Sequence, residues 1–202
     1  MKTSPRLLIG FLVGVACVLP GVTAADEQAA MATSGVADET PSADQAPVSA
    51  TPCEDQEKFR EFDFWLGEWD VHTSDGQLAG RNVIESAQHG CVLFENWTSA
   101  SGGTGFSMNY LDKVTEEWVQ IWTDAGGSQI NIRGGLTDDG MLLTGQIHYV
   151  SNGTTAPFRG LWTPQPDGRI RQLFEQSNDG GKTWQPWFEG FYSRAATDSP
   201  AE

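Results

Sequence analysis

From Phe62 onward the sequence is a succession of short segments rich in aromatic and β-branched residues, separated by turns that contain Gly. The turns at 74–76, 138–140, 166–168 and 179–181 place Gly beside Asp, where a tight hairpin needs a positive φ. No segment keeps an apolar period of 3.6 residues, and only a short helix or turn is expected over 54–60, before the first strand. The pattern predicts strands over 62–73, 80–88, 91–99, 104–112, 116–124, 128–135, 141–150, 157–163, 169–176 and 183–194.

About ten sequential strands without a long crossover favour an all-β fold, an antiparallel up-and-down barrel. Closing the sheet removes the exposed strand edges that an open sheet would leave. Some strands carry large apolar residues at both parities, as in Trp118, Ile121 and Trp122. A barrel accommodates this, because one face lines the interior while the other packs under loops or against a partner.

The residues before Cys53 have a different composition. Lys2 and Arg6 precede an apolar run over 7–22, which small residues follow, and this predicts a secretory signal peptide over 1–24. Cys17 leaves open the alternative of an acylated lipoprotein. The acidic, Ala- and Pro-rich stretch over 25–52 has no aromatic residue and predicts a disordered linker.

The sequence therefore predicts one exported domain over 53–194, periplasmic or extracellular, with a disordered tail over 195–202. The apolar run is shorter than the ~20 residues of a membrane-spanning helix, so no integral membrane segment is expected after processing. The chain has 12 basic and 27 acidic residues and a formal charge of −15; without Lys2 and Arg6 the balance is 10 against 27, or −17. Such a charge repels phosphate backbones, which argues against a nucleic-acid partner.

Two cysteines, Cys53 and Cys91, remain after the signal peptide is removed. An export signal places them in an oxidising compartment, so we expect a disulfide between them. A metal site formed by their thiolates is the alternative, but neither belongs to a C-x-x-C pair.

The first strand contains Gly67-x-Trp69, and the last strand ends at Arg194. This pairing resembles the signature of lipocalins and the wider calycin superfamily. The resemblance implies that Gly67 bends the strand, Trp69 closes the base of the barrel, and Arg194 packs across the Trp69 ring.

A longer pattern, FDFWLGEWDV, GCVLFENW, WTP-x-x-DG and S-x-DGGKTW, resembles a bacterial family of domains of unknown function over nearly all of 53–194. That resemblance implies a calycin-like barrel and brings no established reaction.

The octet SNDGGKTW, residues 177–184, also matches the Asp box of sialidase-like propellers. A propeller needs at least four blades of four strands each, whereas this chain has one copy of the motif in a short domain. We therefore expect a structural turn between the last two strands rather than a sugar-cleaving site.

Other catalytic and cofactor patterns are weak. No spacing marks a pair of catalytic carboxylates, and His72, His89 and His148 are too far apart in sequence to form a zinc-ligand pair. Haem-binding nitrobindins are also calycin-like, but they use a His late in the chain, and none follows His148. We assign no catalytic residue and expect no cofactor and no metal.

Polar residues on apolar strands suggest a partly polar cavity. If their parity points inward, they line a site for a small, partly hydrophobic ligand, in which Arg171 neutralises Glu95 or Glu175 or meets an anionic group of the ligand. The candidate ligand-binding residues are Glu95, Trp97, Asn109, Trp118, Gln120, Trp122, Arg171 and Glu175. The alternatives are that these groups face outward or only satisfy one another, that Glu95 or Glu175 is an acid or base of an enzyme, or that outward aromatic residues form a homodimer or another interaction surface.

Overall fold

The computed structural model describes residues 53–196. The predicted signal peptide, the linker and most of the predicted tail lie outside the described residues. Two short 3-10 helices, Glu57–Arg60 and Asp63–Trp65, come first. Ten strands follow: β1 Gly67–His72, β2 Leu78–Ala87, β3 Val92–Ser99, β4 Thr104–Asp112, β5 Glu117–Asp124, β6 Gln129–Thr137, β7 Gly140–Tyr149, β8 Thr154–Pro164, β9 Ile170–Gln176 and β10 Gln185–Arg194.

The ten strands form a closed antiparallel barrel in which each strand pairs with the next in sequence. Pairing of β1 with β10, from Trp69 opposite Arg194 to His72 opposite Phe191, closes the sheet. The predicted up-and-down barrel is therefore confirmed. No helix among residues 53–196 is long and apolar enough to span a membrane.

The prediction that the first strand begins at residue 62 is wrong by five residues, because the chain forms a 3-10 turn before β1. A strand would send Phe62 and Trp65, three residues apart, to opposite faces. The 3-10 turn lets both side chains point into the barrel, since residues i and i+3 eclipse one another in this helix type. Both are fully buried.

These two residues fill one end of the barrel, which we call the base. The Phe62 ring lies 5.0 Å from the ring of Trp65, 5.7 Å from that of Trp118 and 5.3 Å from that of Trp162, between centroids. All four side chains are at most 1% exposed. The predicted disulfide between Cys53 and Cys91 is present and ties the segment before β1 to the turn between β2 and β3.

Gly67, Trp69 and Arg194 meet beside the base. The Arg194 guanidinium lies 3.8 Å from the centroid of the Trp69 ring, and its Nη1 donates a 2.6 Å hydrogen bond to the Leu66 carbonyl. Gly67 has φ of 122°, and a Cβ atom at this position would clash with the guanidinium. Only glycine adopts this positive φ and also leaves room for the guanidinium without strain.

The octet SNDGGKTW joins β9 to β10 as a hydrogen-bonded turn. The Asp179 carboxylate accepts bonds from the amides of Lys182 and Thr183 and from the Thr183 hydroxyl, while the Gly181 amide donates to the Ser177 hydroxyl. These hydrogen bonds lower the pKa of Asp179 to about 2, and those from Thr183 make the largest contribution. The hydrogen bonds of Asp179 are thus all made within the turn itself.

Candidate functional site

A cavity of about 360 Å³ opens at the end of the barrel opposite the base, and we call this end the mouth. Six of its lining residues are aromatic, three are polar, and two are small or aliphatic. The lining comprises Trp97, Trp122, Phe174, Trp187, Phe188 and Tyr192, then Glu95, Ser99 and Gln172, then Ala79 and Ile130. Its volume and its mixture of apolar walls with few polar groups are typical of small-molecule sites.

The indole rings at the mouth fit because the neighbouring strand provides room. Gly105 of β4 occupies an inward position opposite Trp97 of β3. A Cβ atom on Gly105 would overlap the Trp122 ring, so glycine lets this indole lie flat against the barrel wall. The Trp97 ring then meets Phe188 edge to face, with 6.3 Å between centroids.

A chain of hydrogen-bonded polar side chains crosses the barrel beneath the aromatic lining, and we call it the polar belt. Its members come from six strands, β2, β3, β4, β5, β9 and β10, and each is at most 5% exposed. They are Asn82, Glu95, Ser107, Asn109, Gln120, Gln172 and Tyr192. The belt separates the solid base from the cavity and forms the floor of the cavity.

Glu95 lies at the centre of the belt. Its two carboxyl oxygens accept hydrogen bonds of 2.7 Å, one from the Asn82 amide and one from the Ser107 hydroxyl. Burial raises the pKa of the Glu95 carboxyl, and these two hydrogen bonds only partly oppose that effect. Glu95 forms no ion pair with any basic side chain of residues 53–196.

The belt continues on both sides of Glu95. The Asn82 amide also donates to the Tyr192 hydroxyl at 3.1 Å, and this hydroxyl donates to Gln172 at 2.8 Å. Burial and, after it, the neighbouring Glu95 charge raise the pKa of Tyr192 well above its ordinary value, so the phenol stays neutral. On the other side, the Asn109 amide donates to Ser107 at 2.8 Å and accepts from Gln120 at 2.9 Å.

The belt has more acceptors than donors. Within the described part of the chain, the side-chain carbonyl oxygens of Asn82 and Gln120 are buried and have no hydrogen-bond partner. A buried polar atom in this condition normally has a water or a ligand as its partner. Neither residue belongs to the cavity lining, so these two oxygens lie within the belt rather than on its cavity side.

The structure brings together six of the eight candidate ligand-binding residues on the inside of the barrel. Glu95, Trp97 and Trp122 line the cavity. Asn109 and Gln120 lie in the polar belt without reaching the cavity lining, and Trp118 is part of the base.

Arg171 and Glu175 are on the outside, so the expectation that they face the cavity is wrong. Arg171 pairs with Glu189 at 2.6 Å, and Glu175 pairs with Arg159 at 2.7 Å, both across neighbouring strands. Leu173 shares their outward parity, which made this side of β9 resemble an interior face. The expected neutralisation of Glu95 by Arg171 does not occur.

Sequence reasoning missed four polar residues of the belt: Asn82, Ser107, Gln172 and Tyr192. Gln172 had a usable signal, because it shares a parity with Ile170 and Phe174, which are both buried. Asn82 and Ser107 are directly opposite inward residues of β3, Trp97 and Glu95, and only the register of strand pairing reveals this.

Metal and haem ligands are not gathered around this site. Among residues 53–196 no three His, Cys, Asp or Glu side chains come together in a way that would hold a metal ion. The His148 ring bonds the Thr155 hydroxyl at 2.9 Å on the exposed surface. A scan against protein-family models found no match to this chain, and a search of curated proteins found none either.

Proposed function

We propose that this protein is an exported binding protein that holds a small, partly hydrophobic molecule in the cavity at the mouth. The observation that carries the proposal is the difference in filling along one barrel interior: aromatic residues pack the base completely, while those at the mouth surround about 360 Å³ of space. Interiors otherwise pack with few voids larger than a water molecule. An aromatic-walled space of this size above a polar floor suits a ligand.

Two further features support the proposal. The disulfide between Cys53 and Cys91 is compatible with maturation in an oxidising compartment, periplasmic or extracellular. The packing of Arg194 on Trp69 beside Gly67 supports the resemblance to calycins, although a shared fold does not itself specify a ligand.

Native mass spectrometry of protein purified from the organism that produces it tests the proposal. We expect a retained small-molecule mass in the wild type and in Leu78→Phe, whose side chain is exposed at 50%. The neighbouring Ala79 lines the cavity, so Ala79→Phe fills the space and should release that mass. If no mass is retained, or if Ala79→Phe retains it equally, the proposal fails.

An enzymatic function is a second candidate, and Glu95 is the observation that favours it. A buried carboxyl with a raised pKa keeps its proton to higher pH than an exposed one, as a general acid must. Glu175 is excluded from this role by its outward position. A Glu95→Gln variant that binds a substrate without turning it over would support the enzyme, and unchanged turnover would remove Glu95 from the mechanism.

An interaction module is the third candidate, favoured by apolar side chains on the outer face of β3, β4 and β5. Phe94, Met108 and Ile121 are neighbours across these strands, and Phe106 stacks on Phe94 at 5.5 Å between centroids. Phe106 and Ile121 are each 43% exposed. Sedimentation of the purified domain as a monomer at high concentration would remove self-association through this face.

A further inference from the structure

The charge of the cavity restricts the class of ligand. Among the residues that line it, Glu95 and Tyr192 are the titratable ones, and no lining residue is basic. The arginines within two residues of the lining are engaged elsewhere: Arg81 pairs with Asp70, Arg171 pairs with Glu189, and Arg194 packs on the Trp69 ring. The cavity of the described domain thus contains a carboxyl group without a protein cation to neutralise it.

A buried carboxylate without a counter-charge is costly, so the protein either keeps Glu95 protonated or leaves its neutralisation to a ligand. The partners of Glu95 favour the second possibility. Both hydrogen bonds to its oxygens are donated by neutral side chains, Asn82 and Ser107, and each oxygen keeps a lone pair for a further donor.

The walls of the cavity also favour a cation. Trp97, Trp122, Phe174 and Phe188 surround the space above Glu95. The faces of such rings carry negative potential and attract ammonium groups, most strongly with Trp and where water is excluded. The formal charge of −15 increases the local concentration of cations and disfavours anions.

We propose that the ligand is a protonated organic amine, with its ammonium group at Glu95 and its apolar part between the indole rings of Trp97 and Trp122. This inference deepens the proposed binding function and depends on it. The ammonium donates to the Glu95 carboxylate, and the neutral Tyr192 hydroxyl and the Gln172 amide close the polar side of the site. An anionic ligand of the same shape is excluded by the same charges.

Calorimetric titration with benzylamine and benzyl alcohol, a cation and a neutral molecule of nearly equal shape, tests the inference. At about pH 8 we expect benzylamine to bind at least tenfold more tightly than benzyl alcohol. Glu95→Gln should abolish that preference, whereas Glu175→Gln, which changes an outward carboxylate, should keep it. Equal binding of the two probes to the wild type would overturn the amine inference and leave the cavity proposal standing.

The pH dependence of the wild type gives a second test that requires no variant. Benzylamine is a cation from about pH 4 to about pH 8, so its affinity should rise with pH above the ordinary pKa of Glu, as Glu95 ionises. Tyr192 on β10 is the only other titratable group in the polar belt and the cavity lining, and it remains neutral; Asn82, Ser107 and Gln172 complete the surroundings of Glu95 without titrating. A flat or falling affinity would contradict the inference, and binding of neither probe would remove the cavity proposal as well.

Discussion

The two ends of the barrel are built from the same ten strands, but their interiors differ in how they are filled. At the base, the 3-10 turn brings Phe62 and Trp65 in from outside the sheet, and these rings complete a core with Trp118 and Trp162. At the mouth, among residues 53–196, strand residues alone line the cavity, and Trp97 and Trp122 remain half-buried around it. The difference shows that strand pairing closes the barrel wall, whereas chain segments beyond the strands decide which end becomes core and which stays open.

The largest expected effect comes from removing an aromatic residue of the base. Trp65→Ala should lower the free energy of unfolding by about 3–5 kcal/mol, because it leaves a cavity among fully buried rings. Trp97→Ala, the matched change at the mouth, should cost only about 1–2 kcal/mol, because that indole is half-buried. Urea unfolding measures both values. Equal costs would mean that the two ends are packed alike.

Removal of the disulfide should also weaken the base. Cys53 and Cys91 are 38 residues apart in sequence, so replacing both with Ser should cost about 3–4 kcal/mol in the chain-entropy model. The expected change is a lower midpoint of urea unfolding for the double variant, with benzylamine still bound under conditions where the barrel is folded. A loss of binding without a loss of stability would show that the disulfide acts on the mouth instead.

The free energy of unfolding should depend on pH through Glu95, which lies in the polar belt between the two ends. Because burial raises the pKa of this carboxyl, the folded state binds more protons than the unfolded state between the ordinary pKa of Glu and the raised one. Stability conferred by the protonated form is therefore present at low pH and is lost as pH rises through this interval. The Glu95→Gln variant should gain stability relative to the wild type over the same interval, in urea unfolding without ligand. A constant difference at every pH would mean that Glu95 does not titrate there.

The smallest effects are expected on the outer surface. Arg171→Ala breaks a partly exposed pair with Glu189 and should change the free energy of unfolding by less than about 1 kcal/mol. Benzylamine affinity should also stay the same, because Arg171 does not reach the cavity. A marked loss of affinity would place Arg171 in the site after all.

The sequence predicted the strands well because Gly beside Asp marks the hairpins, and it predicted the disulfide because two cysteines remained to pair. The Phe62–Leu66 segment was misjudged, since an aromatic-rich run before a strand has the same composition as the strand itself. The prediction that Glu95 and Gln120 point inward was correct, because each has a Trp two residues away on the same strand. The corresponding prediction was wrong on β9, where Leu173 lies between the outward residues Arg171 and Glu175, although Ile170 and Phe174 mark the opposite face as the inward one.

The most direct test of this account is to follow the indole ¹H–¹⁵N resonances of the protein by NMR during titration with benzylamine. All eight tryptophans lie between Trp65 and Trp187, so both ends of the barrel are observed in one spectrum. We predict that the Trp97 and Trp122 resonances shift and saturate, while those of Trp65, Trp118 and Trp162 stay in place. Shifts at the base, or unchanged Trp97 and Trp122 resonances at saturating probe, would contradict a ligand cavity at the mouth.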